Sequence, residues 1–436
     1  MAQKILSVKG TRDVLPIDTY VKDTDPWLRI GHFQLIEDAA REIFPRYGYQ
    51  EARTPILERT ELFVRGIGEV TDVVGKEMYT FDDHGTSVSM RPENTASLVR
   101  AYVEHNVQQL QGGEAKWWYL GHMFRRERQQ RGRYRQFTQI GLEAFGSQGP
   151  RIDAEQIELL DRWLRRLGIP FEMNVNTLGD SNCRPAYRTA LQEYLRSRKA
   201  ELCAECQNRI ETNPIRVLDC KNPGCQKVAA EAPQLKLCDP CQLHFDGLKD
   251  SLARLGVKYT LNPKLVRGLD YYTRTTYEAI ATEGLGSQST VAGGGRYDGL
   301  VRELGGGDVP GIGFAAGVER LALLVAQAGR EASQKPALFL APLGPQEEAR
   351  ADVLAQQCRA AGIAVEVSFR KSNPGNQLKR ADALGARFAL VLGENELQTG
   401  NAKLKELKTG AQHDVALADL VPSLLKLLAV VKEGTP

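Results

Sequence analysis

The chain has 436 residues, of which 42% are hydrophobic and 25% charged, and this length predicts two or three domains. Its 57 basic and 54 acidic residues leave a net charge of only +3, which excludes a uniformly basic nucleic-acid coat but not a local basic site. The start of the chain lacks the apolar stretch of a signal peptide, and no apolar run is long enough to span a bilayer. We therefore expect a cytosolic protein without a membrane partner.

The first hundred residues predict a helix, a strand and a second helix. Apolar residues recur at helical spacing over residues 28–47, which predicts an amphipathic helix. Residues 48–57 predict a strand that ends near Pro55, because proline cannot donate a hydrogen bond to a neighbouring strand. Residues 91–105 predict a second helix, with Glu93 and Thr95 in its first turn.

A hairpin with an arginine-rich tip is predicted next, with strands over residues 116–126 and 133–145 and a loop over 127–132. Side chains alternate between the two faces of a strand, and Ile140, Leu142 and Ala144 suit a buried face. Arginines suit phosphates, and an aromatic ring can stack on a base. An ordinary solvated sheet face is the alternative. The other face is predicted to hold Arg133, Arg135, Phe137, Gln139, Gly141 and Glu143.

The residue pattern divides the rest of the chain into an insertion, the remainder of the first domain and a C-terminal domain. Residues 176–262 are mostly helical and hold most of the cysteines, so they are interpreted as an insertion. Further strands are predicted over 258–281, 289–292 and 311–316, and an apolar helix over 318–328. After a polar linker at 331–336, strands and helices alternate, which predicts a small α/β domain with a mostly parallel sheet over 337–436.

The cysteines are spaced for metal binding. Eight cysteines in a cytosolic chain indicate metal ligands or free thiols rather than disulfides. Cys220 and Cys225 lie between the two Cys-x-x-Cys pairs, which leaves the choice of four ligands open, and reduced, partly buried thiols are the alternative. Cys183 and Cys358 are interpreted as isolated core thiols. The paired cysteines, and the predicted ligands of a structural zinc ion, are Cys203, Cys206, Cys238 and Cys241.

Three segments in order resemble the motifs of the class II aminoacyl-tRNA synthetases. The segment ending at Pro55 resembles motif 1, their dimer strand. Residues 124–127, Phe-Arg-Arg-Glu, followed by Phe137, resemble motif 2, and residues 317–321, Gly-Val-Glu-Arg-Leu, resemble motif 3. The resemblance implies an α+β catalytic core with an antiparallel sheet, and it implies a homodimer.

Two further segments resemble the signatures of the histidyl-tRNA synthetase family. Residues 265–274 resemble the first signature and residues 292–300 the second, and the opening residues 9–16 are typical of the same family. The resemblance covers nearly the whole chain. It implies a catalytic domain at 1–330 with the helical insertion at about 176–262, a linker at 331–336 and an α/β anticodon-binding domain at 337–436.

The resemblance also implies an activity. A ligase of this family activates L-histidine with ATP and Mg²⁺ to histidyl-adenylate, and then transfers histidine to the 3′ end of tRNA(His), with release of AMP and pyrophosphate. Two alternatives remain open. Regulatory paralogues of histidine biosynthesis share the core but have damaged motifs, and class II synthetases for proline, threonine or glycine have a similar C-terminal domain.

Site residues follow from the resemblance position by position. Arg125 and Arg267 are implied as catalytic residues on either side of the α-phosphate, both also contacting histidine. The other histidine-binding residues are Glu93, Thr95 and Gln139 at the α-amino group, Glu143 and Tyr272 at the imidazole, and Tyr271 and Tyr297 lining the pocket. The ATP-binding residues are Arg125 at the α-phosphate, Glu127 and Phe137 at the adenine, Arg320 at the γ-phosphate and over the adenine, and Arg133. The tRNA acceptor end is implied to meet Arg128, Gln130 and Arg135.

Overall fold

The protein is described here by a computed structural model covering residues 4–16, 29–68, 71, 73–110, 112–127, 132–266, 271–285, 289–330 and 335–429. The chain divides into two compact units, Met1–Ala332 and Ser333–Pro436. Across the described ranges, no helix has both the length and the apolar character needed to cross a membrane.

Among the described residues of the first unit, an eight-stranded sheet lies beside a three-stranded one. The large sheet has the order β1-β5-β6-β11-β10-β9-β7-β8, and the small one the order β2-β4-β3. The six inner strands of the large sheet pair antiparallel with one another, while the edge strands β1 and β8 pair parallel with their neighbours. The strands are β1 (Gln50–Glu51), β2 (Leu57–Arg59), β3 (Tyr79–Asp83), β4 (Thr86–Met90), β5 (Ala115–Phe124), β6 (Gln136–Phe145), β7 (Phe171–Thr177), β8 (Thr260–Leu261), β9 (Thr273–Ala281), β10 (Thr290–Arg296) and β11 (Gly311–Gly317).

Helices cover the sheet of the first unit and build the insertion. They are α1 (Ile30–Ile43), α2 (Thr60–Ile67), α3 (Thr95–Glu104), α4 (Val107–Leu110), α5 (Pro150–Arg166), α6 (Arg184–Ser197), α7 (Ala204–Thr212), α8 (Pro223–Ala230), α9 (Asp239–Arg254), α10 (Leu300–Glu303) and α11 (Val318–Gln327). The main core lies between the sheet and α1, α5 and α11. Ile140, Leu142 and Ala144 of β6 are buried in it, which confirms the predicted buried face.

The segment around Pro55 differs from the single predicted strand. Only Gln50 and Glu51 pair with β5, and the chain then leaves the large sheet and forms β2 of the small one. Proline has no backbone N–H and restricts the residue before it, so the ladder stops before Pro55. The prediction of one continuous strand that ends near Pro55 was therefore wrong, since β1 ends at Glu51.

Three other predicted elements also differ from those of the structure. The helix predicted from residue 91 begins at Thr95, because Pro92 and the carboxylate of Glu93 precede its first turn. The strand predicted from residue 133 begins only at Gln136, so Arg133 and Arg135 lie before β6 rather than on its face. The longer strand predicted over 258–281 is divided into β8 and β9, with residues 267–270 outside the described ranges.

The second unit has its own five-stranded sheet within the described residues, in the order β13-β12-β14-β15-β16. The first three strands are parallel, as predicted, but the last two are antiparallel and were not predicted. The elements are β12 (Leu338–Pro342), α12 (Pro345–Ala360), β13 (Val365–Val367), α13 (Pro374–Ala383), β14 (Phe388–Leu392), α14 (Glu394–Thr399), β15 (Asn401–Glu406), β16 (Gln412–Ala416) and α15 (Leu420–Ala429). A separate apolar core holds them together.

Candidate active site

A cavity of the first unit opens over β6, β10 and β11, and most of the residues singled out from the sequence meet there. Two groups of side chains line it. We call the first the acidic end, consisting of Glu93, Thr95, Gln139, Glu143, Tyr271, Tyr272 and Tyr297. The second is the arginine end, consisting of Arg125, Glu127, Arg133, Phe137 and Arg320.

Glu143 lies at the centre of the acidic end. It projects from β6 and is only 1% exposed, so a solvated sheet face is excluded here. Thr95 Oγ1 donates to its Oε1 at 2.7 Å, and the Tyr297 hydroxyl donates to its Oε2 at 2.5 Å. Burial raises the pKa of Glu143 to about 8, although these two donors oppose the rise. A buried carboxylate of this kind gains most from a ligand that brings positive charge or an N–H donor.

Space for the Glu143 carboxylate depends on a glycine. Gly313 of β11 pairs with Glu143 across the sheet, and a Cβ at position 313 would lie 1.6 Å from Glu143 Oε2. Any side chain at this position would displace the carboxylate. This requirement was not recognised from the sequence, where the Gly-x-Gly pattern of residues 311–313 was the available signal.

We expect Gly313→Ala to lower the activity that the sequence resemblance implies, measured as histidine-dependent ATP–pyrophosphate exchange, by about 10²-fold or more, because the carboxylate must leave its two donors. Gly149→Ala is the matched control, since a Cβ there meets nothing within 4 Å. Steady-state exchange assays on both variants measure the effect. Equal activity of the two variants would show that the position of Glu143 is not critical.

Glu93 and Gln139 are also held by local contacts. The Glu93 carboxylate accepts the backbone N–H groups of Thr95 at 2.7 Å and Ala96 at 2.9 Å, so it caps α3 from outside the helix. Burial raises the pKa of Glu93, and these backbone donors oppose the rise. Gln139 Oε1 accepts the Tyr119 hydroxyl at 2.8 Å. Two carboxylates and an amide therefore converge on one small volume, an arrangement that suits an ammonium group.

Three phenol rings close the acidic end. Tyr271 and Tyr272 are both buried, with ring centroids 4.6 Å apart. Tyr271 also packs edge-on against Tyr297 with the centroids 5.7 Å apart. Rings with polar tips suit a small aromatic ligand that needs both packing and hydrogen bonds.

The arginine end is organised around Glu127. Its two oxygens face Arg125 Nη1 at 3.5 Å and Arg133 Nη1 at 2.9 Å. Arg125 is further held by the Pro92 carbonyl, which accepts from its Nε at 2.8 Å, and its guanidinium lies 5.4 Å from the centre of the Phe137 ring. These contacts orient the guanidinium before any ligand arrives, which reduces the cost of ordering it on binding.

Arg320 completes the arginine end from the first turn of α11. Its Nη1 donates to the Thr290 carbonyl at 2.6 Å. Burial, together with repulsion from Arg133, lowers the pKa of Arg320 to about 10. Arg125, Arg133 and Arg320 thus face a partly buried volume with Glu127 as their nearby carboxylate. Such a cluster suits a polyphosphate, whose charges the guanidinium groups can neutralise.

Among the described residues that the sequence singled out for the site, Arg135 is not brought into this cavity. Arg135 lies outside its lining and instead donates from Nη1 to the Lys9 carbonyl at 3.3 Å. Its backbone N–H also donates to the Gly10 carbonyl at 2.7 Å, so this residue attaches the start of the chain to the hairpin. Arg128, Gln130 and Arg267 lie outside the described residues.

Two functional candidates were missed. Glu319 lines the cavity at 6% exposure, and its Oε1 accepts the Thr138 backbone N–H at 2.7 Å. Burial raises its pKa to about 7. A carboxylate at the start of an apolar helix was the signal in the sequence. Tyr134 also lines the cavity and is buried, but nothing in the predicted loop-and-strand pattern singled it out.

Arg296 belongs to the second signature but does not line the cavity, and its contacts hold neighbouring elements together. It is fully buried behind β10, with its Nε 3.0 Å from Asp153 Oδ1 and its Nη1 2.8 Å from Asp298 Oδ1. Its Nη2 donates to the Ser147 carbonyl at 2.7 Å. The guanidinium therefore joins α5 to the strand that precedes Tyr297, and it supports the acidic end from behind.

The cysteines do not form the predicted set. Two separate groups each bring four potential ligand atoms within 4.8 Å of one another. One group contains Cys203, Cys206, Cys220 and Cys225, and the other contains Asp180, Cys183, Cys238 and Cys241. The two Cys-x-x-Cys pairs therefore belong to different groups, and the interpretation of Cys183 as an isolated thiol was wrong. The spacing within a pair shows which cysteines share a turn but not which pairs meet.

The large sheet is mainly antiparallel and has the cavity on one face. Arginines of the β5–β6 hairpin and of helix α11 line that cavity. This arrangement defines the catalytic core of a class II aminoacyl-tRNA synthetase. Family models agree with this assignment. Residues 22–321 match the model of histidyl-tRNA synthetase, and residues 338–427 match that of the anticodon-binding domain.

Individual relatives cover nearly the whole chain. The histidine--tRNA ligase of Anaeromyxobacter sp. (strain K) is 50% identical over 421 residues, which are 96% of this chain and 98% of that protein. That of Syntrophotalea carbinolica is 45% identical over 428 residues, 97% of this chain and 98% of the relative. The crystal structure of apo S. aureus histidyl-tRNA synthetase superimposes with a TM-score of 0.78 at 33% identity, covering 97% of this chain and 100% of that one. The chain belongs to the histidyl-tRNA synthetase family.

Proposed function

We propose that the cavity is the site at which this chain activates histidine. The chain joins L-histidine to ATP with release of pyrophosphate, and it transfers the histidyl group from the adenylate to tRNA(His) with release of AMP. Enzymes of this class take ATP as its Mg²⁺ complex, so the metal enters with the substrate. The observation that carries the proposal is the division of the cavity into an acidic end and an adjoining arginine end.

Histidine is proposed to bind at the acidic end. Glu93, Thr95 and Gln139 would contact its ammonium group, which needs several acceptors. Glu143 would accept from one imidazole nitrogen and Tyr272 would contact the other, with Tyr271 and Tyr297 packing against the ring. The support for this assignment is the burial of Glu143, because a buried acceptor discriminates strongly against side chains that cannot donate to it.

ATP is proposed to bind at the arginine end. Phe137 would stack on the adenine, Glu127 would accept from its amino group, and Arg133 and Arg320 would hold the outer phosphates. This places the α-phosphorus beside Arg125, where the two ends of the cavity meet. A carboxylate oxygen of histidine then attacks that phosphorus and the bond to pyrophosphate breaks. No protein nucleophile is needed, so the enzyme acts by positioning and by stabilising developing negative charge.

Arg125 and Arg267 are proposed as the catalytic residues of this step. Arg125 would contact both the α-phosphate and the histidine carboxylate, and its three fixed contacts support this role. The role of Arg267 rests on the family signature of residues 265–274. Two guanidinium groups on opposite sides of the phosphate would offset the charge that accumulates there.

In the second step the 3′-hydroxyl of the terminal ribose attacks the carbonyl carbon of the adenylate, and AMP leaves. Arg128, Gln130 and Arg135 are proposed to meet the acceptor end of the tRNA, which carries phosphates that cations attract. Arg135 is supported by its place at the exposed base of the hairpin, beside Lys9.

The second unit is proposed to bind the anticodon. Its loop after β13 exposes Phe369 at 86%, followed directly by the exposed residues Arg370 and Lys371. An exposed ring flanked by cations is suited to stacking on an unpaired base whose phosphates are neutralised at the same time. These three side chains are the ones we expect to contact the anticodon loop.

Assembly and location follow from the same proposal. We propose a homodimer formed through the motif 1 segment, an anticodon-binding domain spanning 337–436 after a linker at 331–336, and a catalytic domain spanning 1–330 with its insertion at about 176–262. The charged tRNA is used in protein synthesis, so we propose that the enzyme works in the cytosol. The free thiols of all eight cysteines are consistent with that compartment.

The decisive experiment is ATP–pyrophosphate exchange measured with each amino acid in turn. We expect exchange with histidine alone, and we expect the same preparation to charge tRNA(His). Exchange with proline, threonine or glycine would redirect the assignment to another class II enzyme. Silence with every amino acid would indicate a regulatory paralogue.

A further inference from the structure

The helical insertion contains two clusters of thiol groups that the aminoacylation chemistry does not use. All eight cysteines of the chain lie within the described residues as free thiols, and seven of them belong to these clusters. The first cluster is Cys203, Cys206, Cys220 and Cys225, and the second is Asp180, Cys183, Cys238 and Cys241. We propose that each cluster binds one zinc ion, so that the chain holds two.

The first cluster has the geometry of a four-thiolate site. Its four sulfur atoms lie within 4.8 Å of one another, and Cys203 Sγ is 4.0 Å from Cys220 Sγ. A tetrahedral zinc ion with Zn–S bonds of about 2.3 Å requires sulfur–sulfur separations of about 3.8 Å, so only small side-chain rotations are needed. A disulfide would need about 2.05 Å. Cys206 and Cys225 are fully buried, as expected for a closed structural site.

The backbone around the first cluster is also arranged for thiolates. Cys203 immediately precedes α7 and Cys206 lies in its first turn, while Cys225 lies in the first turn of α8. Helix N-termini favour negative charge, so the backbone favours a thiolate at three of the four sulfurs, although burial raises the pKa of the Cys206 and Cys225 thiols. The Cys203 N–H also donates to Cys225 Sγ at 3.2 Å. Cys206 and Cys225 belong to an apolar cluster of only ten buried residues, and a bound ion would stabilise so small a core.

The second cluster repeats this arrangement at the base of the insertion. Cys183 precedes α6, Cys238 precedes α9, and Cys241 lies in the first turn of α9. Cys183 Sγ lies 3.9 Å from Cys241 Sγ, and Asp180 Oδ1 lies 3.7 Å from both Cys183 Sγ and Cys238 Sγ. Carboxylate oxygen is an accepted fourth ligand for zinc beside thiolates. The donor set therefore fits the same metal, although one ligand differs.

The second cluster is attached to the strand that follows the histidine pocket tyrosines. Asp180 Oδ2 accepts from Arg274 Nη2 at 3.3 Å, and the Arg274 N–H donates to the Gly179 carbonyl at 2.7 Å. Arg184 Nη1, one residue beyond Cys183, donates to the Tyr272 carbonyl at 2.8 Å. Arg274 itself has φ +49°, a left-handed conformation that a non-glycine residue keeps only when its surroundings hold it there.

The two ions consequently have different effects on the enzyme. The first holds the insertion's own helices together. The second fixes the turn that holds Tyr272 through Arg184 and Arg274, so its ligands act as positioning residues for histidine binding. Loss of the second ion should raise KM for histidine and leave KM for ATP unchanged, because Arg184 and Arg274 connect this turn to Tyr272 of the acidic end.

The test is the zinc content of the full-length chain, purified without chelators and measured by plasma mass spectrometry, together with exchange kinetics. We expect two zinc ions per chain, one after Cys203→Ser/Cys206→Ser, and one after Cys183→Ser/Cys238→Ser. Cys358→Ala is the matched control, because this buried cysteine belongs to the second unit and to neither cluster, and the variant should keep two zinc ions. Only the second double variant should raise KM for histidine, by about tenfold.

Each possible result either supports or overturns a part of the proposal. A wild-type chain with one ion or none overturns the two-site proposal even if the variants fail to fold, and iron in place of zinc overturns the identity of the metal. Cobalt substitution of the wild-type protein gives a second measurement, since two tetrahedral thiolate sites should give sulfur-to-cobalt absorption that saturates at two equivalents. An unchanged KM for histidine after loss of the second ion would overturn the positioning role alone.

Discussion

Replacing Arg125 with alanine is expected to lower kcat/KM for histidine-dependent ATP–pyrophosphate exchange by about 10²–10³-fold, because a preorganised donor to the transition state is lost. The guanidinium is held by the Pro92 carbonyl, the Glu127 carboxylate and the Phe137 ring, so it is already oriented towards the junction of the two ends of the cavity. No other described side chain makes these three contacts, and water in its place cannot supply a fixed positive charge.

Arg267→Ala should have an effect of the same order if the two arginines act on opposite sides of one phosphate. Arg46→Ala is the control, since the Arg46 side chain is 64% exposed and, among the described residues, forms its ion pair with the exposed Glu42. Single-turnover adenylate formation separates chemistry from product release. Near-normal exchange in either active-site variant, with the control also normal, would remove that arginine from the catalytic step.

Glu143→Gln is expected to raise KM for histidine by about 10²-fold, with a much smaller change in KM for ATP. The amide keeps the size of the carboxylate but carries no charge. Its NH₂ group cannot accept a hydrogen bond, so it would replace the acceptor that now receives the hydroxyl of either Thr95 or Tyr297. Tyr297→Phe is the companion variant, because it removes one donor and leaves the carboxylate. Equal KM values for wild type and Glu143→Gln would contradict the assignment of the imidazole site.

The same residue predicts a pH dependence. The pKa of Glu143 is raised by burial to about 8, so the carboxyl group is mostly protonated at pH 7 in the empty site and ionises as the pH rises through 8. If histidine binds the ionised form, KM for histidine should fall by up to about tenfold between pH 7 and pH 8.5. Glu143→Gln should lose this dependence. A wild-type KM that stays constant over this range would show that ionisation of Glu143 does not control binding.

Predictions from the sequence succeeded where the information is local. Alternation along residues 136–145 placed Phe137, Gln139 and Glu143 on the face that lines the cavity and Ile140, Leu142 and Ala144 in the core, because a strand's side-chain period depends only on its own backbone. The fold class, the family and the activity were also predicted correctly, since motifs in a fixed order survive as strings of residues.

The failures share a different cause. Arg135 was predicted on the strand face, yet the strand starts one residue later and the side chain turns to the Lys9 carbonyl. The four paired cysteines were predicted as one site, yet they separate into two. Glu319 and Gly313 were overlooked. In each case the deciding contact joins residues far apart in the chain, and spacing along the chain does not report such contacts.

The sequence by itself determined the family, the order of the elements and the side chains available for chemistry, because residue identity and local periodicity are sufficient for these. Only the tertiary structure decided how those side chains are used. Burial within the folded sheet, not the residue type, raises the pKa of Glu143 to about 8, and the approach of β11 at Gly313 leaves room for its carboxylate. Folding likewise brings the turn at residues 180–183 next to the start of α9. This contact groups Asp180 and Cys183 with Cys238 and Cys241, which the spacing of the cysteines along the chain does not reveal.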